Sequence, residues 1–151
     1  RTLPGRKCVL TGDWSGLLQV WDETTWHKIA ELQSDSWSPR FTAVSADGQY
    51  LVYGGFIGIK VWETQTWTEV VSLNRPKNLN CIALTPDGKY LLAGSAKKLK
   101  FLKFGSWKNI LTLDDDDYIS SLFAHPDGKT IITGGRKGSK VWQVDLSSFE
   151  T

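Results

Sequence analysis

The sequence has no methionine among its 151 residues, although a complete translation product begins with one. Cysteine and histidine are scarce, with two of each. Cys8 and Cys81 lie far apart, as do His27 and His125. That excludes a disulfide framework, a structural zinc site and most hydrolytic constellations. It fits a reducing, cytoplasmic compartment. No apolar run approaches the roughly 20 residues of a membrane span, and no segment reads as a signal peptide. Asn-x-Ser/Thr acceptors are absent. A net charge of +2 gives no steer toward nucleic acid or an anionic membrane. Helical apolar periodicity is missing from every stretch of useful length.

What the chain does have is a repeat. Asp47-Gly48 returns as Asp87-Gly88 and Asp127-Gly128, a spacing of 40 residues. Gly54, Gly94 and Gly134 keep the step, as do Lys60, Lys100 and Lys140, and then Val61, Phe101 and Val141. A fixed period of roughly 20–50 residues means one supersecondary unit built repeatedly, each copy needing neighbours to bury its apolar faces.

Each period holds four short apolar runs separated by turn residues. The first (Phe41–Val44, Cys81–Leu84, Ser121–Ala124) is small or apolar on both faces, as expected of a strand covered on both sides. The Asp-Gly turn follows, because glycine accepts positive φ without steric cost. A second run ends at the repeated glycine, and a third alternates around the repeated lysine, the period-2 mark of a strand. The fourth is expected to start at Trp26, Trp67 and Trp107. Four such runs make an antiparallel meander.

The chain opens at the loop before a second run and closes after a third. The tally is three strands, two sets of four, then three. With the missing methionine, that phase leads us to expect a piece of a longer polypeptide, a single segment of repeats at about 1–37, 38–77, 78–117 and 118–151. Its open blade edges and uncovered faces are expected to favour self-association.

Gly12 with Trp21-Asp22, Gly54 with Trp62-Glu63, Gly94-Ser95, and Gly134 with Trp142-Gln143, together with the Asp-Gly turns, resemble the WD-repeat β-propeller family. The resemblance runs from about Pro4 to Val144. It implies an all-β fold of four-stranded antiparallel blades, about four blades' worth with the first and last incomplete. One copy has a literal Trp-Asp, another has Leu102 in place of the tryptophan, and no copy has the usual Gly-His pair. Of the family's hydrogen-bonded tetrad, Thr11 with Trp21 and Thr133 with Trp142 are positioned to keep the Thr–Trp part. The blades are therefore expected to depend mainly on apolar packing.

Chemistry-bearing groups are few. His125 stands where Ser45 and Thr85 stand in other copies and reads as a strand-end residue; His27 opens an outer strand. Gly134-Gly135-Arg136-Lys137-Gly138-Ser139-Lys140 has Ser before Lys and enters a strand, so it is a hairpin turn and no phosphate loop. Asp114–Asp117 form a carboxylate run without the spacing of a calcium loop, and read as a solvated loop between blades. Trp21, Trp62 and Trp142, and Trp26, Trp67 and Trp107, recur in phase and read as packing. Trp14 and Trp37 fall outside that pattern and are candidate contacts.

We expect no catalytic residue, metal or cofactor. The resemblance implies a non-enzymatic protein–protein interaction scaffold that docks a partner protein or an adjacent domain of the same polypeptide. The alternatives are a sensor or regulatory domain of a signalling protein, or an enzyme with a central-channel site, for which no convergent acid, base or metal groups are found. In a meander of this kind the loops between fourth and first strands share a rim with the turns between second and third strands. That rim collects Arg75, Lys77, Lys97, Lys98, Arg136 and Lys137 with Asp115 and Asp116, a pattern suited to an electrostatically steered protein contact. Neither a membrane nor nucleic acid is expected as partner.

Overall fold

The computed structural model describes residue 3 and residues 5–33, 40–55, 58–74 and 78–149. They fall into two compact units, Arg1–Arg75 and Pro76–Thr151. The first unit holds β1 (Cys8–Gly12), β2 (Leu17–Asp22) and β3 (Lys28–Gln33), paired in that order, then β4 (Phe41–Val44), β5 (Tyr50–Gly54), β6 (Gly58–Glu63) and β7 (Thr68–Asn74) as a second meander. The second unit holds β8 (Cys81–Leu84), β9 (Tyr90–Gly94), β10 (Lys98–Lys103) and β11 (Asn109–Asp114), then β12 (Ser121–Ala124), β13 (Thr130–Gly134) and β14 (Ser139–Gln143). All pairings are antiparallel. The only helical element among the described residues is a single 3-10 turn, Ser147–Phe149. The fold is all-β, with four sheets of three or four strands in the order that the repeat predicts.

The Asp-Gly turns close through the residue that ends each first strand. Ser45 Oγ and Thr85 Oγ1 donate to Asp47 Oδ1 and Asp87 Oδ1, each at 2.5 Å, and accept from the N–H groups of Tyr50 and Tyr90. The glycines at 48, 88 and 128 have φ near +70°, which a side chain would resist. In the third copy His125 Nδ1 accepts from the Asp127 N–H at 3.2 Å. The Asp127 carboxylate takes bonds from the Thr130 hydroxyl and the Lys129 and Thr130 N–H groups. These bonds hold it well below the usual carboxylate range, the Thr130 hydroxyl contributing most. His125 is thus a strand-end residue, as its phase suggests.

Each unit has its own core. In the first, Cys8, Leu10, Leu18, Val20 and Leu32 pack with Leu51, Tyr53 and Trp62. In the second, Cys81, Tyr90, Leu92, Leu99 and Phe101 pack with Ile119, Ile131 and Leu146. Both cysteines are free and buried, and burial pushes the Cys81 thiol up to about 12. The repeated glycine has a packing reason here. Gly94 faces the first residue of β8, Cys81, and a Cβ on it would lie 2.5 Å from Cys81 Sγ and 2.8 Å from Ile119 Cγ2. The kept tetrad bonds are present, with Trp21 Nε1 donating to Thr11 Oγ1 and Trp142 Nε1 to Thr133 Oγ1, both at 2.9 Å. In the second copy the corresponding pair is aromatic, Tyr53 edge-on to Trp62 at 5.9 Å.

Three expectations are corrected. The fourth strands do not start at the tryptophans but after them, at Lys28, Thr68 and Asn109. Trp26, Trp67 and Trp107 occupy left-handed turn positions with φ of 55–58°. There the Trp26 N–H bonds the Asp22 carbonyl and that of Trp107 bonds the Lys103 carbonyl. Trp67 packs on the first core and Trp107 lies 4.5 Å from Phe104. Trp26 is 63% exposed, so the packing reading fails for it. The last first-strand, β12, is not covered on both sides either. Phe123 is 52% exposed, because nothing among the described residues packs on that face of β12-β13-β14.

Candidate partner-binding rim

In the second unit the chain leaving β11 must cross to β12, and Asp115–Ser120 make that crossing. Two β-turns hold the loop. Its Asp115 N–H donates to the Lys97 carbonyl at 2.9 Å, on the β9–β10 turn. Asp117 Oδ2 accepts the Lys137 N–H at 2.6 Å, on the β13–β14 turn. The expected rim, made of one crossover loop and the turns beside it, is therefore present within this unit.

Lysine and asparagine side chains lock the loop further. Lys140, on β14, donates to Asp115 Oδ1 at 2.5 Å and also bonds Asp116. Asp114 pairs with Lys98 at 2.6 Å. Tyr118 donates its hydroxyl to Asn80 Oδ1 at 2.7 Å, and Asn80 Nδ2 donates to the Ile119 carbonyl. Arg136 lies over the Tyr118 ring, 5.0 Å from its centroid. A cavity of about 240 Å³ opens here, with Asp115, Asp116, Asp117, Tyr118, Lys137 and Lys140 in its lining.

The carboxylate run is consequently not a freely solvated loop. The Asp115 side chain is 3% exposed, and a buried carboxylate persists only with a partner. Lys140 is that partner. Its hydrogen bonds to Asp115 and then Asp116 raise the Lys140 ammonium above its usual range, and its hydrogen bond is the main cause holding the Asp116 carboxyl below the usual range. The Asp117 carboxyl is also held low, chiefly by the Lys137 N–H.

The sign of the linkage follows from those directions. Asp116 and Asp117 contribute stability above the ordinary carboxylate value of 3.8, lost as pH falls through their lower folded values. Lys140 contributes below its ordinary 10.5, and that is lost as pH rises through its higher folded value. Lys140→Met is expected to lower the urea midpoint of the second unit at pH 7. The gap from the parent should close as the pH is taken below 3.8 and the carboxyls protonate. A gap independent of pH would mean that Lys140 acts through packing of its stem.

Lys97, Lys98, Asp115, Asp116, Arg136 and Lys137 are all brought to this rim. Among the described residues, Lys97, Arg136 and Lys137 make no salt bridge, and all three are exposed. Trp14 belongs to the first unit, 84% exposed on the β1–β2 turn that the Asp13 carboxylate closes through Ser15 and Leu17. Arg75, Lys77 and Trp37 lie outside the described residues. Sequence reasoning missed Lys140, Tyr118 and Asn80. The in-phase lysine was the available signal, since Lys60 likewise bonds Glu69 within its own sheet.

The family described as WD domain, G-beta repeat matches residues 67–101 and 107–147, just over half of the chain. No curated protein sequence matches. Among solved structures, Kuenenia stuttgartiensis hydrazine synthase is similar, with a TM-score of 0.79 and 19% identity over 98% of this chain and 48% of that one. At that identity the likeness is one of fold, and the chain spans about half the length of that relative.

Proposed function

The chain belongs to the WD domain, G-beta repeat family, and from that premise we propose that it is a non-enzymatic interaction module, docking a protein partner or a neighbouring domain through the rim of its second unit. The observation that carries this reading is the pinned Asp115–Ser120 loop. It consumes its own carboxylates on Lys140 and the Lys137 N–H, and Asp114 at the end of β11 takes up Lys98. Lys97, Arg136 and Lys137 are thereby left exposed beside it on two rigid turns. Rigid loops on a stiff scaffold suit recognition, and fixed charges on them steer encounter and set register. We place the module in the cytoplasm, where two free thiols stay reduced.

Reversing Lys97, Lys98, Arg136 and Lys137 to glutamate tests the rim. Exposed substitutions change stability by only about ±0.5 kcal/mol each, so far-ultraviolet circular dichroism should match the parent. Recovery of salt-sensitive partners should drop sharply. Unchanged recovery, with unchanged salt dependence, would remove this rim as the binding surface.

A further inference from the structure

Arg136 stands on the β13–β14 turn, which the Gly135 N–H closes on the Gly138 carbonyl at 2.8 Å. A Cβ at Gly135 would lie 2.7 Å from the Tyr118 carbonyl oxygen, so glycine is what lets this turn press against the Asp115–Ser120 loop. That approach sets the Arg136 guanidinium over the Tyr118 ring, 5.0 Å from its centroid. The ring is fixed in turn. Its hydroxyl donates to Asn80 Oδ1 at 2.7 Å, and the Asn80 N–H donates to the Gly94 carbonyl at 2.8 Å.

A guanidinium held by its face keeps its N–H donors along the edge, and a pre-organised fork loses less freedom when that edge is engaged. The neighbouring carboxylates do not use it. Asp114 is taken by Lys98, Asp115 and Asp116 by Lys140, and Asp117 by the Lys137 N–H. Arg136 therefore stays exposed with an open hydrogen-bonding edge. Lys137 follows it on the same turn. Lys97 stands on the other turn that pins the loop, closed by the Ser95 N–H on the Lys98 carbonyl at 2.9 Å.

The charges on this rim select among anions. Five cations, Lys97, Lys98, Arg136, Lys137 and Lys140, stand with the four carboxylates of Asp114 to Asp117. The surplus is small, and the exposed Asp114 and Asp116 repel a continuous polyanion. A discrete carboxylate fits better, because its two oxygens match the guanidinium fork.

We propose that the partner of this rim presents an acidic segment, one Asp or Glu carboxylate of which seats on the Arg136 edge with Lys97 and Lys137 beside it. The inference rests on the rim being the docking surface and adds the chemistry of what docks there. Arg136 sets the register of the contact, and the two lysines steer encounter.

The test follows the Arg136 Nε–H signal by NMR while the 151-residue chain is titrated with a capped Gly-Ser-Glu-Glu-Ser-Gly peptide. Arg136, Lys97 and Lys137 signals should shift saturably, and the matching glutamine peptide should leave them in place. Arg136→Lys keeps the charge but loses the fork, and should weaken binding about tenfold, the equivalent of one charge-assisted hydrogen bond. Tyr118→Leu keeps every charge but frees the guanidinium, and should cost about two- to fivefold. Lys108→Gln, exposed beyond the opposite end of β10, should change nothing. Where Tyr118→Leu fails to fold by circular dichroism, Arg136→Lys on its exposed turn carries the comparison with Lys108→Gln. Equal weakening by Arg136→Lys and Lys108→Gln overturns the proposal. So does tighter binding of a phosphoserine peptide or of a short oligothymidylate. Absence of any shift overturns this inference alone when the four-glutamate variant still loses its partners, and the docking surface with it when that variant loses none.

Discussion

Replacing Phe101 with alanine is expected to remove about 3–5 kcal/mol from the stability of the second unit. The ring is fully buried, stands between Leu92 and Leu111 in the sheet, and shares its core with Ile119 and Ile131. Domains of this size have about 5–15 kcal/mol in all, so the loss is a large fraction. Urea unfolding followed by circular dichroism should show the second unit melting at much lower denaturant. Val141, one repeat later and 65% exposed, is the comparator. Its truncation in a dilute, monomeric sample should stay within about ±0.5 kcal/mol. Equal effects at the two sites would mean that the core of the second unit is not where the structure puts it.

A single methyl group at Gly94 should have the next largest effect. Its new carbon would sit 2.5 Å from Cys81 Sγ and 2.8 Å from Ile119 Cγ2, both groups in the packed core. Overpacking of this kind costs about 1–3 kcal/mol. Combining Gly94→Ala with Cys81→Ala removes the sulfur while leaving Ile119, so part of the loss should return. The double-mutant cycle should then show a coupling of about 0.5–3 kcal/mol. Strict additivity would sink the steric account and leave only backbone preference to explain the glycine.

How much of this was legible before the structure varies with what each residue depends on. The strand order, the incomplete first and last sheets and the Thr–Trp bonds follow from local pattern and a fixed period, and both are written in one dimension. The role of Gly94 was half legible: its recurrence was plain, but its reason is a sulfur on a neighbouring strand. The left-handed tryptophans were misplaced because a positive φ is normally a glycine signal. At 26, 67 and 107 an aromatic side chain accepts it instead. The loop at Asp115–Ser120 was placed on the correct rim, yet its wiring was invisible. Lys140 reaches Asp115 from 25 positions away, and only the packing of one sheet on the next brings them together. The openness of Phe123 was hidden for the same reason, since its own sequence reads like that of a covered strand.

The uneven spread of indoles between the two units gives the protein a built-in optical bias. Six of the eight tryptophans, those at 14, 21, 26, 37, 62 and 67, belong to the first unit, and only Trp107 and Trp142 to the second. Intrinsic emission will therefore report chiefly on residues before Pro76. Within that signal, Trp14 already faces water at 84% exposure while Trp62 is 3% exposed. The wavelength shift on melting should come largely from the few shielded rings, with Trp62 foremost. Changes confined to the second unit will show only through Trp107 and Trp142, and a backbone-sensitive probe is needed to see the two halves with equal weight.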